Sequence, residues 1–222
     1  RGTGRRRARR PLTGHPPPGA VQPTDVVGVV LAAGIGRRFG GFKALVPVGG
    51  VRMVDLAVAA LAQAGVRDRL VVAHPDWPPA AYDGVDATVT INPDWAEGMG
   101  ASLRVALGHP LLAGRRGIVL LLADQPGIGA ACVRRVLDAA GGVDPDDTRS
   151  ALVQAAYAGR RGHPVLLGAA HWIGVREVAR GDAGARAYLA AHQDALTVVD
   201  CTDVGDDTDV DRPGDLGVPG PR

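Results

Sequence analysis

The sequence is short of several things that mark common protein classes. It has two cysteines in 222 residues, Cys132 and Cys201. Their wide separation and lack of metal-type spacing speak against a disulfide framework and leave two ordinary buried thiols as the expectation. Aromatics are 4% of the chain, too few for base-stacking platforms. No apolar run nears the ~18 residues that cross a bilayer, so a soluble, cytoplasmic chain with no membrane partner is expected. Excess charge is also scarce, at net +2. The one basic cluster, "RRRARR" at 5–10, runs into "HPPPGA" and reads as a disordered basic, Pro-rich extension over 1–24. Beyond it the charges are mixed in sign, so nucleic acid is not an expected partner.

The scarcest residues are the most informative. Basic side chains are almost all arginine, and Lys43 is the sole lysine; Asn92 is the sole asparagine. Alanine, glycine, arginine and valine dominate, as a GC-rich coding bias would produce. Under that bias a lone lysine or asparagine marks a position where arginine or aspartate would not serve.

What is present is a core. Hydrophobic residues make up 46%, enough for one medium-sized domain. "VVGVVLAAG" (26–34) is a continuous apolar run ending in glycine, as in a buried parallel strand. "VRMVDLAVAALAQAG" (51–65) has helical spacing and a glycine stop. Strands are expected at 69–75, 86–92 and 117–126, and helices at 99–107 and 127–140. Two strands joined by a turn at Gly159–Gly162 follow, then short helices at 173–180 and 183–192 and a strand at 196–201. This alternation predicts an α/β fold: one Rossmann-like domain over 25–216, with a mostly parallel sheet flanked by helices on both faces, and a tail over 217–222. Ligands of such sheets sit at the carboxyl ends of strands, where "LAAG", "IN" and "LADQP" all fall.

"LAAGIGRRFGGFKALVPVGG" (31–50) resembles two familiar phosphate loops and fits neither. A dinucleotide turn needs G-x-G-x-x-G; Gly34, Gly36 and Gly40 are one residue too wide. A P-loop needs Gly-Lys-Ser/Thr, whereas Phe42 precedes Lys43 and Ala44 follows it. The pattern that fits is L-A-A-G-x-G-x-R-x-G-x-x-K. Small residues Ala32, Ala33 and Gly34 let a nucleotide approach the backbone. Gly36 to Gly41 can present N–H groups to a polyphosphate, and Arg38 and Lys43 add charge where a pyrophosphate leaving group develops it.

With this loop the chain resembles the MobA/MocA-like nucleotidyltransferases, enzymes of molybdenum-cofactor maturation, and the resemblance implies a GT-A-like sheet with a small acceptor-side strand pair. Further elements carry the resemblance in order: "NPDWAEGMGASLRVAL" (92–107), "LLLADQP" (120–126), "YAGRRGHPVLL" (157–167), "ARGDAGARAYL" (179–189) and "DTDVDRPGDL" (207–216). The last departs from the family's D-x-D-T-P-E-D-L, with Arg212 for threonine and Gly214 for glutamate.

The resemblance implies transfer of NMP from an NTP, with CTP the best guess, to a phosphorylated acceptor such as molybdopterin, with Mg²⁺ (or Mn²⁺) as cofactor and a molybdoenzyme as a possible recipient. The alternatives are a guanylyltransferase, another NTP:phosphorylated-acceptor transferase, or a non-catalytic cofactor-insertion chaperone. Asp124 ends an apolar strand, where a carboxylate is costly without a partner, and is the expected metal ligand. Asp211 is the second ligand by the resemblance, with Asp209 the alternative. Lys43, Arg38 and Asp124 form the expected catalytic set. Leu31, Ala32, Ala33, Gly34, Gly36, Lys43, Asn92, Gly98 and Ser102 form the nucleotide site. Asn92 could bond the nucleotide or brace its loop, and Ser102 could face the base or cap a helix. His163, Asp182 and Arg186 are the acceptor-side candidates, His163 with turn bracing as its alternative. Trp95 and Trp172 read as packing residues.

Overall fold

The computed structural model of the chain describes residues 25–36, 40–140 and 148–210. The expected extension over 1–24, the tail over 217–222, Arg38 and Asp211 lie outside them.

Strand β1 (Val26–Ala32) is buried along its whole length. Its side chains alternate: Val26, Val30 and Ala32 enter one core, and Val27, Val29 and Leu31 enter another. An unbroken apolar strand is stable only with cover on both faces. The other strands are β2 (Asp68–Ala73), β3 (Thr88–Ile91), β4 (Gly117–Leu122), β5 (Leu152–Tyr157), β6 (Arg160–Gly168) and β7 (Leu196–Asp200). The helices are α1 (Met53–Gln63), α2 (Met99–Leu107), α3 (Ala130–Ala140), α4 (Trp172–Val178) and α5 (Arg186–Ala191). Helices α1 and α3 cover the first face through Val54, Leu61, Val133, Val136 and Leu137. Helices α2, α4 and α5 cover the second through Leu103, Leu107, Val175 and Leu189. Each fully buried leucine or valine here is worth about 1.5–3 kcal/mol. Gly28 sets how closely α1 lies on the sheet: a Cβ there would stand 2.7 Å from Leu61 Cδ1.

The seven strands form one sheet in the order β7-β5-β6-β4-β1-β2-β3. Only β6 runs against the rest. The expected acceptor-side strand pair is β5 and β6, built into this sheet. Its turn falls at Ala158–Gly159 rather than Gly159–Gly162, because Arg160 already pairs with Tyr157. Both turn residues have positive φ, 49° and 79°, the conformation that matches the twist of a two-residue hairpin. Thr202 Oγ1 accepts the Ala158 N–H at 2.8 Å. The β5–β6 register shifts between Arg161 and Val165, and that irregular stretch carries Gly162, His163 and the cis His163–Pro164 bond.

From β1 the chain moves outward on one side to β2 and β3, and β4 then lies on the other side of β1. The crevice beyond the carboxyl ends of β1 and β4 is therefore the topological switch point of the sheet.

Candidate active site

A cavity of about 400 Å³ opens at that switch point. Leu31, Ala32, Ala33 and Gly34 from the end of β1 line it, opposite Leu122, Ala123 and Asp124 from the end of β4. The two ends are stitched together by the Ala123 N–H, which donates to the Leu31 carbonyl at 3.1 Å. Gly98, Met99 and Ser102 from the start of α2, together with Trp95 and Asp182, complete the wall.

Lys43 is brought in by a short ribbon. Ile35 and Gly36 pair antiparallel with Gly41 and Phe42, so the glycine-rich loop folds back on itself and delivers Lys43 to the cavity mouth. Gly40 takes φ 71° in that reversal, which glycine alone adopts freely. Gly36 lies in the ribbon and does not line the cavity. The Lys43 ammonium donates to Asp124 Oδ2 at 2.8 Å. The lone lysine of the sequence and the carboxylate at the end of its most apolar strand thus meet across 81 residues.

Asn92 is fully buried, and its amide is used within the protein. Its Nδ2 donates to Ser102 Oγ at 3.0 Å, and its Oδ1 accepts the Asp94 N–H at 3.0 Å. Its own N–H donates to Ala73. These contacts match the bracing alternative: Asn92 holds Ser102 at the cavity wall. Gly98 sits at φ 96°, and a Cβ on it would come within 2.6 Å of Asp182 Oδ1 and 2.7 Å of the Gly181 carbonyl carbon. Gly100 is pressed in the same way against Arg180 N, at 2.7 Å. Arg104 ties the assembly together, donating to Ala179 O at 2.7 Å and to Glu97. The "GMG" and "GDAGAR" stretches are therefore two halves of one contact, which carries Asp182 to the cavity.

His163 lies on the β6 side. Burial pushes its imidazole down to about 4; the attraction of Asp124 opposes this and the repulsion of Arg186 adds to it. The ring is neutral at pH 7 and is within electrostatic reach of both. Tyr157 donates its hydroxyl to the His163 carbonyl at 2.7 Å. Neither His163 nor Arg186 lines the cavity between β1 and β4. Trp172 packs in the second core and donates to Leu167 O, whereas Trp95 faces the cavity.

Three features escaped the sequence reading. His74, just past β2, is buried between Phe42 and Trp95, with ring centroids 4.9 and 4.4 Å away. Burial lowers its pKa, opposed by Asp76, so the ring acts as a neutral spacer between the lysine ribbon and Trp95. Second, Arg160 pairs with the buried Asp207 at 2.9 Å. Third, Gln125 clasps the 206–210 segment, whose acids were expected to join Asp124, to the end of β4. Val210 donates to the Asp124 carbonyl, Asp206 donates to the Gly127 carbonyl, and Gln125 Nε2 donates to Asp207 O and to Asp209 Oδ1. The position of Gln125 beside Asp124 was the available sequence signal.

Among the described residues no group of three or more His, Cys, Asp or Glu could hold a metal. Asp124 and Asp209 nevertheless suit Mg²⁺ or Mn²⁺. Both ions prefer hard oxygen ligands and take one or two carboxylates, the remainder coming from phosphate and water. Asp124 already binds a cation, the Lys43 ammonium. Cys132 and Cys201 are both buried free thiols.

Residues 28–196 match the MobA-like NTP transferase domain. The chain belongs to this family of nucleotidyltransferases. It is 32% identical over 196 residues to nicotine blue oxidoreductase of Paenarthrobacter nicotinovorans, covering 84% of this chain and 92% of that protein. It is 35% identical over 159 residues to 2-C-methyl-D-erythritol 4-phosphate cytidylyltransferase of Nocardia farcinica, covering 58% and 66%. Among solved structures it is similar to the manganese complex of Rv0371c from Mycobacterium tuberculosis H37Rv. There the TM-score is 0.62 with 27% identity, covering 86% of this chain and 96% of that one. The expected family and fold are thus borne out.

Proposed function

We propose that the chain transfers CMP from CTP to a phosphorylated acceptor, with molybdopterin or molybdenum cofactor the best candidate, and releases pyrophosphate. The observation that carries this reading is the Lys43–Asp124 pair at the mouth of the switch-point cavity. In-line transfer forms a bond from an acceptor phosphate oxygen to the α-phosphorus and breaks the α–β anhydride bond; the protein's task is positioning and charge neutralisation. Ala32, Ala33 and Gly34 admit the nucleoside. Trp95 and Ser102 bound the base, and Ser102 is held by Asn92. Lys43, with Arg38, neutralises the polyphosphate and the pyrophosphate as it leaves. Asp124, with Asp209 or Asp211, would hold Mg²⁺ or Mn²⁺, which supplies positive charge to the phosphate oxygens. His163, Asp182 and Arg186 face the acceptor; His163 is neutral and can donate or accept a hydrogen bond. A molybdoenzyme would receive the product. The "GHP" and "GDAGAR" elements favour CTP over GTP, and a cytidylyltransferase among the relatives agrees with this.

The test is pyrophosphate release with Mg²⁺, each NTP in turn and molybdopterin. CTP should give the fastest release, and Asp124→Asn should abolish it. No release with any NTP, although nucleotide binds, would reject catalysis and favour the insertion-chaperone alternative.

One relative supports a second reading, because its name is that of an oxidoreductase. Against it, β2 runs out into "AHP" at 73–75, where a dinucleotide fold places a ribose-binding acid. Oxidation of NADH or NADPH in the presence of an aromatic N-heterocycle, without pyrophosphate release, would favour it.

A further inference from the structure

Gln125 is buried beside Asp124, and its amide has one fixed orientation. Two oxygens face one end of it, Asp207 O at 3.1 Å and Asp209 Oδ1 at 2.9 Å. Only the NH₂ group can meet both, because an amide oxygen has no proton to donate. That leaves Oε1 buried with no hydrogen-bond partner among the described residues. A side chain chosen for packing alone would not leave a buried acceptor unsatisfied, and such orphans are rare enough to need a reason.

We infer that Gln125 is a positioning residue for the metal half of the site, its amide holding the Asp209 carboxylate against the end of β4, beside Asp124. The inference rests on the cation-dependent reading given above. Three contacts dock the acidic arm on the 124–125 backbone and side chain: the two from Gln125, and the Val210 N–H to Asp124 O at 3.0 Å. Only the Gln125 contact reaches a carboxylate that could bind a cation. A neutral amide suits this task. It fixes the direction of Asp209 without cancelling its charge, whereas a lysine or arginine there would compete with the metal.

The experiment measures Mn²⁺ binding by electron paramagnetic resonance, with and without CTP, on the full chain. Gln125→Glu keeps the shape but turns the donor into a carboxylate facing Asp209. Gln125→Met keeps the bulk without either polar atom. Each variant should weaken Mn²⁺ binding roughly 10- to 100-fold, the usual cost of losing a group that orients a metal ligand. Gln125→Met should melt close to wild type, so that its weaker binding cannot be ascribed to unfolding. In an Asp209→Ala background Gln125→Met should cost nothing further, since its effect passes through Asp209. Unchanged Mn²⁺ affinity in both Gln125 variants, or a full additional loss in the Asp209→Ala background, would overturn the assignment. Failure of the wild-type chain to bind Mn²⁺ even with CTP would overturn it differently, by removing the metal reading beneath it.

Discussion

At the residue scale two side chains of the proposed site, Lys43 and His163, act on one carboxylate. Lys43 stands 2.8 Å from Asp124, and His163 feels the same aspartate through space. Lys43→Met keeps an aliphatic stem and removes the charge. Turnover should fall roughly 10²- to 10³-fold, the cost of removing one preorganised charge-stabilising group. Steady-state pyrophosphate assays would check this, and undiminished turnover would remove Lys43 from the phosphates. His163 makes a prediction about stability. Its folded pKa is about 4, against about 6.5 in an unfolded chain. The unfolded state therefore binds the proton more tightly. The stabilisation from His163 is fully present above about 6.5 and is lost as pH falls toward 4. Urea melts at a series of pH values should show that slope, and His163→Gln should flatten it. An unchanged slope would assign the acid sensitivity to other groups.

At the element scale the site depends on two glycines that let separate pieces touch. Gly98 and Gly100 admit the 179–182 backbone onto the start of α2. Gly98→Ala would put a Cβ 2.6 Å from Asp182 Oδ1 at φ 96°, combining overpacking with a strained backbone, each of order 1–3 kcal/mol. Gly100→Ala has the close approach without the positive φ and should cost less. Thermal melts of the pair would separate the two contributions; equal losses would show that the contact with 179–182 dominates. These glycines also show which parts of the site could be read from the sequence. The "LAAG" strand end, Lys43 and Asp124 were legible because each signal is local: an apolar run, a loop spacing, an acid at a strand terminus. The family's "GMG" element was legible too, but the reason for its glycines was not, because their partners lie about 80 residues further along the chain and only packing brings them together. Gln125 was missed for the same physical reason. An amide that clamps 207–209 looks in sequence like any polar residue after a strand. The seven-stranded sheet was predictable from apolar runs, whereas the exact hairpin turn depended on which residue first pairs across it.

At the scale of the whole molecule, the cavity is assembled from the ends of β1 and β4, the start of α2, the lysine ribbon and Asp182. No unfolded chain brings these together, so a ligand of the cavity binds the folded state alone and stabilises it by mass action. At a free concentration of 100 times Kd the gain is about 2.7 kcal/mol, which for a domain of this size raises the melting temperature by roughly 5–10 °C. If the cavity takes an NTP through Lys43 and a divalent cation through Asp124, the two ligands should act together. Mg²⁺ alone has to displace the Lys43 ammonium from Asp124, whereas a Mg²⁺-bound triphosphate supplies anionic oxygens to both the ammonium and the metal. The expected outcome of a melting series is therefore little shift with Mg²⁺ alone, a modest one with CTP alone, and the largest with both. In Asp124→Asn the added effect of Mg²⁺ should vanish while the CTP-only shift survives. Equal shifts from all four NTPs would place base selection outside this cavity. A shift from NADPH and none from any NTP would move the chain to the oxidoreductase reading.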